Sequence, residues 1–427
     1  MQKNKRYIFF YSHLDRHFKS TLIGHLYLLM EHHHVILFAD NLKKETLSII
    51  KDTKLFPRLK IINLHNSDCK NFFTKNLKDF KHNTKIFDQS FKKYHCKSLI
   101  TSSDWHSLNE LYLMRIAKNK QIFRFSIQES VHWNTKLRKE WFFTERMTLY
   151  PQYFSPKLIK LATKIRMFLK YLYFQFLIPI LSFRKPFLTK QTFFLWNGAA
   201  GCNYSQYHLV FSSHEYEQYK ISGTDVDKLK IMPHPLTLNK LTPLKSILFK
   251  GGQKKIDFLI ILDSTSFSFQ KNKALIPKKI KLNHDIEIIK HLAKKFPNQK
   301  IVIKPHPDFT RSIFLDKKLQ KFENVYFADQ SSSVESFFEL TQTIIGFSPA
   351  FSTTSIYFKL FYPDKKSIAL NLLDEYNGNF FEKNKYGVEY VQSMEELDFV
   401  VSNNQKKIHT SVFNFKHINQ FLDEKLN

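Results

Sequence analysis

IDFLIIL (residues 256–262) and KIVIKPHPD (residues 300–308) bracket a helical stretch, Asn283–Lys295. Each quoted stretch contains apolar residues in succession, Phe258–Leu262 and Ile301–Ile303, without the alternation of a half-solvated strand. Strands of that kind are buried on both faces, as in a parallel sheet covered by helices. A buried strand, a helix and a second buried strand make a βαβ unit.

The same rhythm extends in both directions. Downstream, Asn324–Phe327, Thr343–Gly346 and Ser367–Leu372 read as strands, and Val334–Leu340, Phe351–Lys359 and Phe413–Leu426 as helices. Upstream, Tyr7–Tyr11, His34–Phe38, Leu59–Leu64, Lys97–Ser102, Ile122–Gln128, His208–Ser212 and Lys228–Met232 read as strands. Ser20–Glu31, Lys44–Thr53, Trp105–Asn119 and His214–Ser222 are the helices among them. The fold class expected is α/β, with two successive Rossmann-like parallel-sheet domains facing across a cleft. The boundaries expected are 1–240 and 256–410, a basic linker with Gly251-Gly252 between them, and a C-terminal helix in 411–427.

Length and composition agree with two packed domains. The chain has 427 residues, 43% of them hydrophobic, which excludes wholesale disorder. Cys69, Cys96 and Cys202 are too few for a disulfide framework and do not cluster as metal ligands. The net charge of +29 favours anionic partners: nucleic acid, acidic lipid or phosphorylated substrates. The basic residues are spread through the whole chain, whereas a nucleic-acid binder concentrates them on a stripe, so no nucleic acid is expected. The N-terminus reads as lacking a secretory h-region, and no stretch of about 20 apolar residues occurs, so no ordinary transmembrane helix is expected.

Residues 155–190 break the rhythm. Aromatic and aliphatic residues interleave there with Lys160, Lys164, Arg166, Lys170, Arg184, Lys185 and Lys190. Two readings fit: a helix lying in a membrane interface, and an amphipathic helix packed on the domain.

Three segments carry candidate chemistry. In Lys304-Pro305-His306-Pro307 two prolines hold His306 on a stiff turn at the C-terminal edge of a strand, where ligands of open α/β sheets bind. An imidazole there donates to a phosphate oxygen, and Lys304 adds positive charge. Ser352-Thr353-Thr354-Ser355 follows the strand Thr343–Gly346 and opens a helix, placing hydroxyls and free N–H groups where an anion binds; N-capping alone explains one of them. Glu129, after the strand Ile122–Ile127, is either a general base or a solvated loop carboxylate. Glu335 is a candidate nucleoside contact or a helix-start glutamate. Asp225-Val226-Asp227 has the form of a metal motif but sits in a turn, and His32-His33-His34 points in different directions, so no metal site is expected. Classical dinucleotide, P-loop and nucleophile-elbow motifs are absent.

The order Gln128-Glu129-Ser130, His306-Pro307, Ser352-Thr353-Thr354-Ser355 resembles that of GT-B glycosyltransferases of bacterial surface-polysaccharide synthesis, most of all the sialyltransferase and polysialyltransferase group. That resemblance implies an inverting enzyme with no cofactor and no essential metal. It implies Glu129 as base and His306 as the group assisting departure of a CMP phosphate. Lys304, Pro307, Ser352, Thr353, Thr354 and Ser355 would bind the donor, and Glu335 its nucleoside. The N-terminal domain would serve the acceptor, a surface glycan or lipid-linked precursor, and the C-terminal domain a nucleotide-sugar donor carrying sialic acid or a related acidic sugar. The location expected is the cytoplasm, with the basic surface and the segment Leu158–Phe183 holding the protein on the anionic inner face of a bacterial plasma membrane. Lys304-Pro305-His306-Pro307 is also similar to the string in CDP-glycerol glycerophosphotransferases, the alternative activity.

Overall fold

The structure is a computed structural model that describes residues 5–13, 15, 18–69, 71–104, 107–128, 155–189, 199–211, 213–232, 234–235, 241, 244, 255–262, 268–269, 275–276, 278–305, 317–328, 334–347, 354–373, 387–403 and 417–426. The chain divides into two compact units, Met1–Leu241 with Asn414–Asn427, and Thr242–Phe413.

The first unit is built on β1 (Arg6–Ser12), β2 (His34–Ala39), β3 (Leu59–Asn63), β4 (His95–Thr101), β5 (Phe123–Ile127), β6 (Tyr207–Val210) and β7 (Leu229–Ile231). They pair in the order β3-β2-β1-β4-β5-β6-β7, and every pairing is parallel. Order reverses between β1 and β4, so the chain's direction of travel across the sheet switches there. A crevice opens at the C-terminal ends of strands at such a point. Five helices accompany these strands: α1 (Ile23–Leu29), α2 (Lys44–Ile50), α3 (Phe72–Lys93), α4 (Leu108–Asn119) and α7 (Ser213–Ile221), while α5 (Pro156–Leu172) and α6 (Ile178–Leu181) come from the divergent segment.

Seven phenylalanines, Phe9, Phe38, Phe80, Phe87, Phe91, Phe174 and Phe187, lie in this core. Phe9, Phe38, Phe87 and Phe91 are buried together, with Phe9–Phe38 and Phe38–Phe87 meeting edge to face. That geometry sets the positive ring edge on the negative face of its neighbour. The terminal helix α11 (Ile418–Leu426) returns to the first unit, where Phe421 packs on Phe125 and Tyr207 and Asn419 Nδ2 donates to Leu28 O.

The second unit carries β8 (Ile256–Leu262), β11 (Ile301–Pro305), β12 (Val325–Phe327), β13 (Thr341–Gly346), β14 (Lys366–Leu370) and β15 (Glu389–Val391) in the order β12-β11-β8-β13-β14-β15, again all parallel. A short hairpin, β9 (Ser268–Phe269) and β10 (Leu275–Ile276), stands apart. The helices are α8 (Lys278–Lys295), α9 (Thr354–Phe361) and α10 (Met394–Ser402). Here the switch lies between β8 and β13. The expected α/β class, with two Rossmann-like parallel sheets, is the class observed.

Two local expectations change, and a third, the turn at Asp225-Val226-Asp227, is as read from the sequence. Val334–Leu340 is a 3-10 turn over Val334–Phe337 that gives way directly to β13, because Phe338 leaves the helical path to bury against Phe358 and Phe361. Asp225-Val226-Asp227 is a capped turn: the Asp225 carboxylate accepts from the Asp227 backbone N–H at 3.1 Å. The divergent segment satisfies neither reading alone. Phe174, Gln175, Ile178 and Phe187 are buried, and so is Ile159 of α5, whereas Leu158, Leu161, Ile165, Phe168, Leu169 and Leu172 of α5 face water. Among the described residues no helix is long and apolar enough to cross a membrane.

Candidate functional site

In the second unit the strand register assembles the site. Ile261 of β8 is paired with Lys304 on one side and with Gly346 on the other. The ends of β11 and β13 therefore flank the end of β8, about 10 Å apart at two strand spacings. Lys304 is buried, and its Nζ donates to Pro305 O at 2.8 Å. Lys281, in the first turn of α8, is also buried, and its Nζ donates to Phe347 O at 3.0 Å, just past β13. Two ammonium groups thus lie at one strand edge.

A buried cation is costly, and a cation in the first turn of a helix opposes the helix dipole. An anion bound at this edge reverses both penalties. The start of α9 supplies more. Ser355 is buried in its first turn, and Ser355 Oγ has no hydrogen-bond partner among the described residues. A Cβ at residue 346 would stand 2.8 Å from that hydroxyl, so the close approach of helix to strand requires glycine at Gly346. Thr354 precedes Ser355 as the first residue of the helix.

Of the residues singled out in the sequence, Lys304, Thr354 and Ser355 come to this edge. Glu335 sits on the 3-10 turn that leads into the N-terminal end of β13, the opposite edge of the sheet, and among the described residues nothing brings it to Lys304. Glu129, His306, Pro307, Ser352 and Thr353 lie outside the described residues. Lys281 escaped the sequence reading. Its one signal is a lysine in the first turn of a helix, where a cation is disfavoured.

The first unit's strand edge has the opposite character. Asp40, at the end of β2, is buried; its Oδ2 accepts from Tyr11 Oη at 2.7 Å and Asn109 Nδ2 at 3.0 Å, and its Oδ1 from Asn41 Nδ2 at 2.9 Å. His13, one residue beyond β1, brings Nδ1 within 3.6 Å of Asp40 Oδ2 and is partly exposed. Burial, with Asp40 and Glu110 nearby, holds the Tyr11 phenol well above its ordinary pKa, so it stays a donor. Asn41 adopts φ 59°, a left-handed conformation that Asn tolerates better than most residues.

Two further carboxylates at this edge hold the backbone together. Glu110 accepts from Ser103 N at 2.5 Å and from the Ser102 and Ser103 hydroxyls, tying α4 to the loop after β4. Asp104 accepts from the N–H groups of Gly201, Asn203, Tyr204 and Ser205 at 2.7–3.0 Å. Gly201 permits this nest: its φ is +81°, and a Cβ there would come within 2.5 Å of His208 Cβ. At β5, Gln128 Nε2 donates to Glu215 at 2.7 Å and its Oε1 accepts from Phe211 N, so the strand is pinned up to the residue before Glu129. The sequence reading missed His13 and Asp40 because their partners are far away in the chain.

No protein-family model matches this chain, and no curated protein sequence does. Solved structures do resemble it in shape. A glycosyltransferase from Rickettsia africae superposes with a TM-score of 0.50 at 15% identity, covering 99% of this chain and 97% of its own. The UDP-GlcNAc 2-epimerase of Neisseria meningitidis, solved with UDP-GlcNAc, gives 0.48 at 14% identity over 94% of both chains. The Anabaena protein HepE, solved with UDP-glucose, gives 0.44 at 10% identity over 92% of this chain and 88% of its own. The fold of the chain is GT-B-like, with a Rossmann-like domain in each half.

Proposed function

We propose that this protein is a glycosyltransferase whose second unit binds the phosphate of a nucleotide-sugar donor. The observation that carries the reading is the pair of buried ammonium groups, Lys281 and Lys304, at the strand edge beside Gly346 and Ser355. Breaking the bond between an anomeric carbon and a phosphate oxygen leaves the electron pair, and growing negative charge, on the phosphate. Fixed cations in a buried edge stabilise that charge more strongly than water does. They do the work a divalent ion does elsewhere, which supports a metal-independent reaction.

His306 directly follows β11 and would donate to the same phosphate, with Pro307 fixing the turn and Ser352 and Thr353 extending the hydroxyl set of Thr354 and Ser355. The acceptor hydroxyl needs a base on the face opposite the leaving group, and inversion follows from that geometry. Glu129 is one candidate, supported by the pinned Gln128 before it. His13 oriented by Asp40 is another, supported by their 3.6 Å approach. The donor expected is a CMP-linked acidic sugar and the acceptor a surface glycan or lipid-linked precursor at the cytoplasmic membrane face. CDP-glycerol is the alternative donor, favoured by the string Lys304-Pro305-His306-Pro307.

The test is a donor panel of CMP-sialic acid, CDP-glycerol and UDP-sugars, with released nucleotide as the readout. One donor is expected to be consumed, and Lys304→Met is expected to raise its KM at least about tenfold, the worth of one charged hydrogen bond. If no member of the panel is bound or hydrolysed by the wild-type protein, the reading fails.

A further inference from the structure

Residues 156–172 form α5, a 17-residue helix started by Ser155, whose Oγ accepts from Leu158 N at 3.3 Å. Leu158, Leu161, Ile165, Phe168, Leu169 and Leu172 recur at steps of three and four residues. At 100° per residue they fall in a stripe about 100° wide, the pattern by which a helix ordinarily meets a core. Here the stripe faces water: each of the six is between 37% and 58% exposed. The helix is about 25 Å long, so the face is continuous and large for an unburied apolar surface.

The residues after Leu172 hold α5 in place. Phe174 and Ile178 enter the core of the first unit. Gln175 is tied by Thr189 Oγ1, which donates to its Oε1 at 2.7 Å, and by Phe187 N, which donates to its carbonyl at 3.0 Å. Arg184 pairs with Asp88 at 2.6 Å. The base is thus anchored, and the exposed stripe is presented by a fixed support.

Charge selects the occupant. Lys157, Lys160 and Lys164 line one border of the stripe and Arg166 and Lys170 the other, and the helix has no acidic residue. Two copies of this face brought together would oppose five cations with five. An anionic lipid surface neutralises the same cations while its acyl boundary takes up the apolar stripe.

We propose that α5 is an interfacial helix that seats this protein on anionic lipid, with the stripe Leu158–Leu172 immersed and the flanking cations at the headgroups. This stands independently of the transferase reading. It assigns the contact to α5, anchored through Phe174, Gln175, Ile178 and Phe187, while Leu177, Ile180, Leu181 and Phe183, 47–86% exposed, extend the apolar surface beyond it.

Flotation of the full chain with vesicles tests it, comparing phosphatidylcholine alone with phosphatidylcholine containing phosphatidylglycerol. Binding is expected only to the anionic vesicles and is expected to fall with added salt. Leu161→Ser with Ile165→Ser and Phe168→Ser is expected to weaken it on the order of a hundredfold, since three half-exposed side chains lose their immersion. Lys160→Glu with Lys164→Glu is expected to weaken it at least about tenfold, with an unchanged far-UV circular dichroism spectrum. Should the stripe variant fail to fold, the charge-reversal pair decides. Equal binding to both vesicle types, no binding to either, or wild-type affinity in the charge-reversal pair overturns the proposal. So does a wild-type dimer in sedimentation that the stripe variant abolishes.

Discussion

The two sheets share one construction and carry opposite chemistry at the same edge. In each, all strands are parallel and the order reverses once. Yet the first sheet ends in Asp40, Asp104 and Glu110 with His13, while the second ends in Lys281, Lys304 and a Ser355 hydroxyl without a partner among the described residues. The topology provides a crevice at the C-terminal ends of the strands, and the residues placed there decide what binds. A carboxylate and imidazole edge suits a group that must lose a proton. A buried cationic edge suits a phosphate that must accept charge.

The comparison sharpens further inside the first edge, where carboxylates differ in role. Asp104 accepts four backbone N–H groups, so Asp104→Asn leaves several buried donors poorly matched. It is expected to destabilise the first unit by about 3 kcal/mol or more, read by urea unfolding. A loss below about 1 kcal/mol would show that the nest is held by something other than this carboxylate. Asp40 faces His13 and carries no backbone load in the hydrogen bonds observed. Asp40→Asn is expected to lower kcat about a hundredfold, within the usual worth of a positioned acid–base pair, while donor KM stays the same. An unchanged kcat would remove the His13–Asp40 pair from the acceptor side.

Acid sensitivity separates the units in another way. His25 in α1 is fully buried with no hydrogen-bond partner for either ring nitrogen among the described residues, and burial pulls its pKa down to about 3. In the unfolded chain it titrates near 6.5, so between these values the unfolded state binds the extra proton. Stability is therefore unaffected by His25 above about pH 6.5 and falls as pH drops toward 3, by up to about 1.4 kcal/mol per pH unit. His25→Leu is expected to flatten that slope for the first unit's transition. A slope identical to wild type would place the acid sensitivity elsewhere. The smallest effect is expected at the second edge, where Ser355→Ala removes one neutral hydroxyl. It is expected to weaken donor binding by about 1 kcal/mol, measurable as a fivefold rise in Kd; a tighter complex would mean that the hydroxyl does not meet the ligand.

Much of this architecture is legible in the residues alone. Within IDFLIIL and KIVIKP the runs Phe258–Leu262 and Ile301–Ile303 are apolar in succession because parallel strands are covered on both faces, and that signal is local. Lys304, Thr354 and Ser355 are legible because a strand end or helix start announces itself within a few residues. His13, Asp40 and Lys281 are not, since their meaning comes from partners distant in the chain: Tyr11 with Asn109, and Phe347. The turn at Val334–Phe337 reads as a helix because Phe338 belongs to a contact with Phe358 that no local spacing reveals. The segment 155–190 holds two behaviours under one composition, and only burial divides them.

The central claim is that the second unit's edge binds a donor phosphate through two ammonium groups. Calorimetric titration of CMP, CDP and UDP into the wild-type chain and into the Lys281→Met, Lys304→Met double variant tests it most directly. The account predicts binding of at least one nucleotide by the wild type and a loss on the order of a thousandfold in the variant, from two charged hydrogen bonds, with both proteins folded by circular dichroism. Equal affinity in the two proteins would contradict it.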